Sequence, residues 1–186
     1  MVTQGKTDLS RYIRSVPDFP KPGINFKDIT TLLKDAAGFR EALSQLHDQF
    51  KNGPTIAKVV SIESRGFIFG GALAHLLGAG FVPARKPGKL PAKTVRQEYE
   101  LEYGKDCVEM HADALERGEN VLLHDDLLAT GGTAAAACKL IEKLGARIVG
   151  VSFLIELTFL KGRERLKPYD VFSLVRYESE GLPPYQ

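Results

Sequence analysis

The run Val121-Leu-Leu-His-Asp-Asp-Leu-Leu-Ala-Thr-Gly-Gly-Thr133 constrains this chain more than any other segment. Short apolar residues lead through two acids into a Thr-Gly-Gly-Thr turn, and an alanine-rich helix is expected from about Gly132 to Leu144. Strand, turn and helix in that order make half of a βαβ unit, and open α/β sheets bind ligands at the carboxyl ends of their strands. In Ala129-Thr-Gly-Gly-Thr133 the small residues let backbone N–H groups approach an anion, the hydroxyls of Thr130 and Thr133 can donate, and the helix dipole adds positive potential. A phosphate suits such a loop. Neither G-x-x-x-x-G-K-[ST] nor G-x-G-x-x-G occurs anywhere, which removes the main support for an ATPase or a dinucleotide-binding reading.

The rest of the chain repeats the alternation of apolar runs and helical patterns, so an α/β fold is expected: a mainly parallel twisted sheet flanked by helices. At 186 residues, 44% apolar and 26% charged, it has the length and composition for a single globular domain spanning residues 1–186. Leu9, Tyr12, Ile13 and Val16 share one helical face and predict a short opening helix, stopped by the proline-rich stretch Pro17 to Gly23. Asp35 stands where it would cap a helix carrying Phe39, Leu43, Leu46 and Phe50 at helical spacing. A strand over Ala57–Ile62, the loop Glu63-Ser-Arg-Gly66, a helix ending at Gly78 and a strand Phe81–Ala84 come next. The basic loop Arg85-Lys-Pro-Gly-Lys-Leu-Pro91 and a hairpin with arms Thr94–Tyr103 and Lys105–Met110 follow. After the Asp-Asp loop and its helix, a buried strand Ala146–Ile155, a short helix near Phe159–Leu166 and a strand near Asp170–Arg176 are expected.

Charge narrows the partners. Lys and Arg number 25 against 23 Asp and Glu, and a net charge of +2 is too small to draw the whole surface onto nucleic acid or an acidic membrane. Phosphate binding must therefore be local. Met1 to Leu9 has no apolar core of a signal peptide, and no stretch reaches the length of a membrane span, so a cytosolic location is expected. Cys107 and Cys138 lack metal-site spacing and are expected as buried thiols.

Two adjacent acids in a loop are commonly a solvated turn or a helix cap. Directly before a phosphate loop at the end of a buried strand, Asp125 and Asp126 are instead spaced to reach the 2′- and 3′-hydroxyls of a ribose whose 5′-phosphate the loop holds. At this point Asp125 to Thr133 resembles the 5-phosphoribosyl 1-pyrophosphate (PRPP) signature of the type I purine phosphoribosyltransferases, in the form carried by the adenine-specific branch. Pro17 to Asp28, Glu63 to Phe67, Arg85 to Pro91 and Leu101-Glu-Tyr-Gly104 are similar to that family's other segments, in the same order. The resemblance covers about residues 10 to 176.

What the resemblance implies is specific. The fold is that of type I phosphoribosyltransferases, with a base-binding hood over about residues 1–34 and a flexible loop and hairpin over about 85–110. Phe26 stacks on adenine, Leu127 covers its other face, and the backbones of Asn25 and Lys27 read its edge. Arg65, Arg85 and Lys89 meet the pyrophosphate of PRPP, with Asp125 and Asp126 on the ribose and the loop Ala129, Thr130, Gly131, Gly132, Thr133 on the 5′-phosphate. Glu102, Arg65 and Tyr103 form the catalytic set, Glu102 taking the proton from adenine. Mg2+ is held mainly through PRPP with Asp125 and Asp126 nearby, and the assembly is a homodimer. The implied reaction turns adenine and PRPP into AMP and pyrophosphate. Competing readings are a related enzyme acting on another purine, and a PRPP-sensing nucleic-acid-binding regulator of the same fold. Phe26 argues against the first; the low net charge and the short segment before Asn25 argue against the second. Position 124 is His where the family more commonly has an aliphatic residue. It is expected either to be a packed imidazole or to orient Asp125 or Asp126 and make binding sensitive to pH near 6.5.

Overall fold

The computed structural model describes residues 7–100 and 104–181. At its start the face made by Leu9, Tyr12, Ile13 and Val16 does not become a helix. One 3-10 turn, Leu9–Tyr12, with the Asp8 carboxylate accepting from Ser10 N, passes into strand β1 (Arg14–Val16). β1 pairs antiparallel with β2 (Phe26–Asp28), and Arg14 forms an ion pair with Asp28 across the ladder. A cross-strand partner outweighs the helical spacing here because so short a helix has little stability of its own.

Helix α1 (Thr30–Leu33) leads into α2 (Ala36–Phe50), where the Asp35 carboxylate accepts from Gly38 N at 2.7 Å, in the capping position the sequence suggests. Next comes a βαβ unit of β3 (Lys58–Ile62), α3 (Gly66–Leu77) and β4 (Gly80–Ala84), with Gly78 closing α3 in the left-handed conformation at φ +65°. The two arms of the expected hairpin are β5 (Thr94–Glu100) and β6 (Lys105–His111), paired from Thr94↔His111 to Glu100↔Lys105. The chain finishes with β7 (Asn120–Leu128), α4 (Gly132–Lys143), β8 (Arg147–Leu157) and β9 (Val171–Tyr177). Between β8 and β9 the expected helix is two 3-10 turns, Thr158–Leu160 and Gly162–Leu166, separated by Lys161 at φ +54°, a conformation no helix contains.

The five long-range strands form one parallel sheet in the order β4-β3-β7-β8-β9. Both faces are covered. Val121 and Leu123 pack with Ala137, Leu140 and Ile141 of α4, whereas Leu122 packs on the other side with Phe69 and Leu73 of α3 and Leu46 of α2. This is why β7 reads as an unbroken apolar run rather than an alternation.

The sheet order reverses between β3 and β7, since β3 continues outward to β4 while β7 continues outward to β8 and β9. The last β3–β7 pair is Ser61↔His124, but β7 stays paired with β8 as far as Leu128↔Glu156. Asp125 and Asp126 therefore lie in the strand, not in a loop as expected. The length of β8 accounts for the difference, because it gives Asp125 to Leu128 a pairing edge after β3 has turned away.

Phe69 is fully buried, with its ring centroid 5.1 Å from that of Phe39. Phe69→Ala is expected to cost about 3–5 kcal/mol of unfolding free energy, and Asp35→Ala, which removes only the cap, about 1 kcal/mol. Urea denaturation followed by circular dichroism measures both; equal losses would contradict this division between core and cap.

Candidate active site

Where β3 turns away from β7, a cavity of about 420 Å³ opens at the carboxyl ends of the two strands. Seven residues expected in the site line it: Phe26, Arg65, Arg85, Asp125, Asp126, Leu127 and Thr133. They arrive from the β1–β2 hairpin, the β3–α3 loop, the chain after β4, β7 and the first turn of α4. Glu63, Lys86, Tyr99 and Cys107 also line it, and the sequence did not single them out for the site.

The two aspartates are held differently. Asp125 Oδ1 accepts from the Asp126 backbone N–H at 2.8 Å. Asp126 is buried, and its Oδ2 lies 2.8 Å from Arg65 Nε. The guanidinium N–H does not point at that oxygen, so Oδ2 gains a compensating charge yet has no hydrogen-bond donor. Burial, followed by repulsion from Asp126, pushes Asp125 well above the usual carboxylate range; burial also raises Asp126, against the opposing pull of Arg65. A buried acceptor without a donor is costly, and a ligand hydroxyl would satisfy it. Among the described residues no three His, Cys, Asp or Glu side chains converge to cage a metal ion. A cation beside this acidic pair would have to bring most of its ligands with it, as Mg²⁺ bound through a substrate's phosphates does.

Each cation lining the cavity has a carboxylate partner. Arg65 pairs with Asp126 and lays its guanidinium 4.9 Å from the centre of the Phe26 ring. Arg85 pairs with Glu63, which also accepts from Lys86 N at 2.9 Å. Burial opposes ionisation of Glu63, but the hydrogen bonds from Lys86 and Arg85 outweigh it and hold the carboxyl below its ordinary range. Lys86 in turn pairs with Asp106 of β6, which accepts from Tyr99 Oη at 2.9 Å. Lys89 is exposed and does not line the cavity; its carbonyl accepts from Arg85 Nη1 at 3.0 Å.

The phosphate-type loop enters α4 through Gly131, at φ +80°, and no side chain caps the helix. That contrasts with α2, whose first turn Asp35 occupies, and it leaves the first amides of α4 without a side-chain acceptor. Gly131 and Gly132 are buried, Ala129 and Thr133 half-buried, and Thr130 exposed. Of this loop only Thr133 borders the cavity itself.

On the N-terminal side, Phe26 meets Phe19 edge to face at 5.1 Å. Lys27 points the other way: it is buried, donates to Ser15 Oγ at 2.9 Å and lies 4.3 Å from the centre of the Tyr177 ring. Asn25 donates to the Glu180 carbonyl at 2.8 Å, while its own Oδ1 has no partner. Neither residue lines the cavity. Glu102 and Tyr103 lie outside the described residues.

One expectation is corrected here, and the two readings of His124 are decided in favour of the packed imidazole. Cys138 is buried in α4, but Cys107 is half-buried in β6, opposite Glu98, and faces the cavity. His124 is fully buried and bonds through Nδ1 to Ser152 Oγ at 2.9 Å, with Nε2 unpartnered and Phe69 beside its ring, so it touches neither aspartate. Burial drives its pKa down to about 3, which rules out a response near 6.5.

Comparison with known proteins agrees with this geometry. The model of the phosphoribosyl transferase domain matches residues 26–184. An adenine phosphoribosyltransferase of Solibacter usitatus is 58% identical over 171 residues, covering 92% of this chain and 98% of that protein. One from Desulfitobacterium hafniense is 56% identical over 171 residues, with coverage of 91% and 98%. Among solved structures, the adenine phosphoribosyltransferase of Thermoanaerobacter pseudethanolicus superposes with a TM-score of 0.88 at 51% identity, covering 91% of this chain and 98% of that one.

A histidine whose folded pKa lies below its unfolded value binds more protons when unfolded, so its contribution to stability is complete above about pH 6.5 and is lost as pH falls toward 3. Wild type is expected to lose up to about 1.4 kcal/mol per pH unit through this group in that window. Urea midpoints of wild type and His124→Val from pH 7 to pH 4 should converge by that slope; parallel curves would show that the ring is not buried neutral.

Proposed function

The chain belongs to the phosphoribosyltransferase family, among its adenine phosphoribosyltransferases, and on that premise we propose that it converts adenine and PRPP to AMP and pyrophosphate, the purine-salvage reaction. The observation that carries this reading is the convergence of Phe26, Arg65, Asp125, Asp126, Leu127 and Thr133 on one cavity at the point where the sheet order reverses. An aromatic face and an apolar side chain suit a planar base, two carboxylates suit ribose hydroxyls, and uncapped amides suit a phosphate.

In the proposed reaction the C1–O bond to pyrophosphate breaks and its electron pair leaves with the pyrophosphate oxygen. The N9 lone pair of adenine forms the new C1–N bond, and the base gives up a proton. Positive charge builds on the ribose ring as the leaving group becomes more negative. Arg65 and Arg85 are suited to stabilise that leaving group, and Lys86 lines the same cavity. Their carboxylate partners hold them in place until phosphate oxygens compete for the same N–H groups. Lys89 would need movement of the basic loop to reach the pyrophosphate. The donor-free Oδ2 of Asp126, beside Asp125, fits ribose hydroxyls and the neighbourhood of a cation. Mg²⁺ bound to PRPP would supply further positive charge to the departing pyrophosphate. Glu102, with Tyr103 another member of the catalytic set that the family resemblance implies, takes the proton. The hood proposed covers about residues 1–34, and the flexible loop and hairpin about 85–110.

The assembly proposed is a homodimer. Ile68 and Leu76 on α3 and Phe81 on β4 are exposed apolar side chains available to a second copy. The site proposed is the cytoplasm, with neither nucleic acid nor membrane as partner; among the described residues no helix is long and apolar enough to cross a membrane.

Pyrophosphate release from PRPP with each purine base in turn tests the reaction: turnover is expected with adenine and with no other base at comparable kcat/KM. Binding of PRPP without turnover would favour the sensing regulator. Glu102→Gln is expected to lower kcat roughly 10²-fold with little change in the KM for PRPP; unchanged turnover would remove its role in proton transfer.

A further inference from the structure

Outside the cavity, a buried and doubly bonded carboxylate lies at the end of β8, and it bears on the phosphate loop. Glu156 is 3% exposed and pairs in register with Leu128, the last residue of β7 before the loop. Arg163, from the 3-10 turn Gly162–Leu166, clamps it with both arms: Nε donates to Oε1 at 2.6 Å and Nη2 to Oε2 at 2.8 Å. The same guanidinium donates to the Val171 carbonyl at 2.7 Å and approaches Ser173 Oγ at 3.4 Å, both on β9. Arg176 Nε stands 3.5 Å from Glu156 Oε2. Burial opposes ionisation of Glu156, but these donors outweigh it and hold the carboxyl below its ordinary range. Glu156, β9 and the segment after Lys161 are thereby fastened together.

The residue next to Arg163 is what the fastening delivers. Gly162 is buried with its backbone against the phosphate loop: a Cβ there would collide with the Ala129 carbonyl and come within 2.9 Å of Leu128 Cδ1. The contact is mutual, because a Cβ on Gly131 would lie 2.5 Å from the Gly162 carbonyl oxygen. Two glycines thus meet backbone to backbone, one in the loop and one beneath it. A loop whose amides must face a phosphate gains its geometry from whatever backs it.

We infer that Glu156 and Arg163 are positioning residues that, through Gly162, hold the Ala129–Thr133 loop in its phosphate-binding form. The inference rests on the proposed reading of that loop as the 5′-phosphate subsite. It makes the 158–166 segment part of the substrate-binding apparatus although none of its residues lines the cavity.

Calorimetric binding of two probes to the full chain tests it. Ribose 5-phosphate reports the loop, and pyrophosphate with Mg²⁺ reports the cationic half of the cavity. Gly162→Ala and the milder Arg163→Lys, which keeps the charge but not the two-armed geometry, are expected to weaken ribose 5-phosphate binding about 10-fold or more. Pyrophosphate affinity should stay within about two-fold of wild type, and the KM for PRPP should rise with kcat little changed. Lys167→Ala, at an exposed residue just beyond the segment, should match wild type in every measurement. If Gly162→Ala does not fold, Arg163→Lys decides alone. Equal weakening of both probes, or of neither, would overturn the inference. Wild-type binding of both probes without turnover of adenine and PRPP would instead overturn the proposed reaction and leave the loop's support standing.

Discussion

The site depends on the unequal pairing of one strand. β7 loses β3 after His124 and keeps β8 to Leu128, so four residues stay extended with one edge bonded and the other open. Hydrogen bonds to β8 keep the backbone of Asp125 to Leu128 straight, and the missing β3 edge is the cavity. A loop at this point would carry the same side chains without their fixed spacing; a strand paired on both edges would have no room for a ligand.

Much of this was legible in the sequence, and the misses share a cause. Asp35 before an apolar periodicity and Gly78 after one are local signals, and both mark helix ends in the structure. The strand over Arg14–Val16 and the extension of β7 through the aspartates depend on partners distant in sequence, Phe26–Asp28 and the far end of β8, which no local window contains. The same holds within the site. Phe26, Arg65, Asp125, Asp126, Leu127 and Thr133 sit in recognisable runs. Glu63, Asp106 and Tyr99 matter because tertiary packing sets them against Arg85 and Lys86, and alone they read as ordinary surface residues. His124 shows the converse: its neighbours in sequence are the aspartates, but its neighbours in space are Ser152 and Phe69.

The electrostatics of the cavity follow from that packing. Unpaired arginines and lysines in a half-buried cleft would repel one another and attract any passing anion. Partnered with Asp126, Glu63 and Asp106, they remain charged and ordered. Exchange of one anionic partner for another costs less than assembling bare cations, because neither state leaves the charge uncompensated. The carboxylates released by such an exchange then become acceptors in their own right, and Asp126 already offers one oxygen without a donor.

The fastening of Asn25 to the Glu180 carbonyl, and of Lys27 over the Tyr177 ring, has a consequence for how the cavity is made. Phe26 sits between those two anchors in sequence, yet both anchor points belong to β9 and the residues after it. A chain emerging from the ribosome exposes Phe26 early and must wait for residues 177 to 180 before the strand that carries it can be tied down. The cleft is therefore completed only once β9 and the residues just after it have been made, and a nascent chain arrested before β9 would have the phosphate loop without the finished wall opposite.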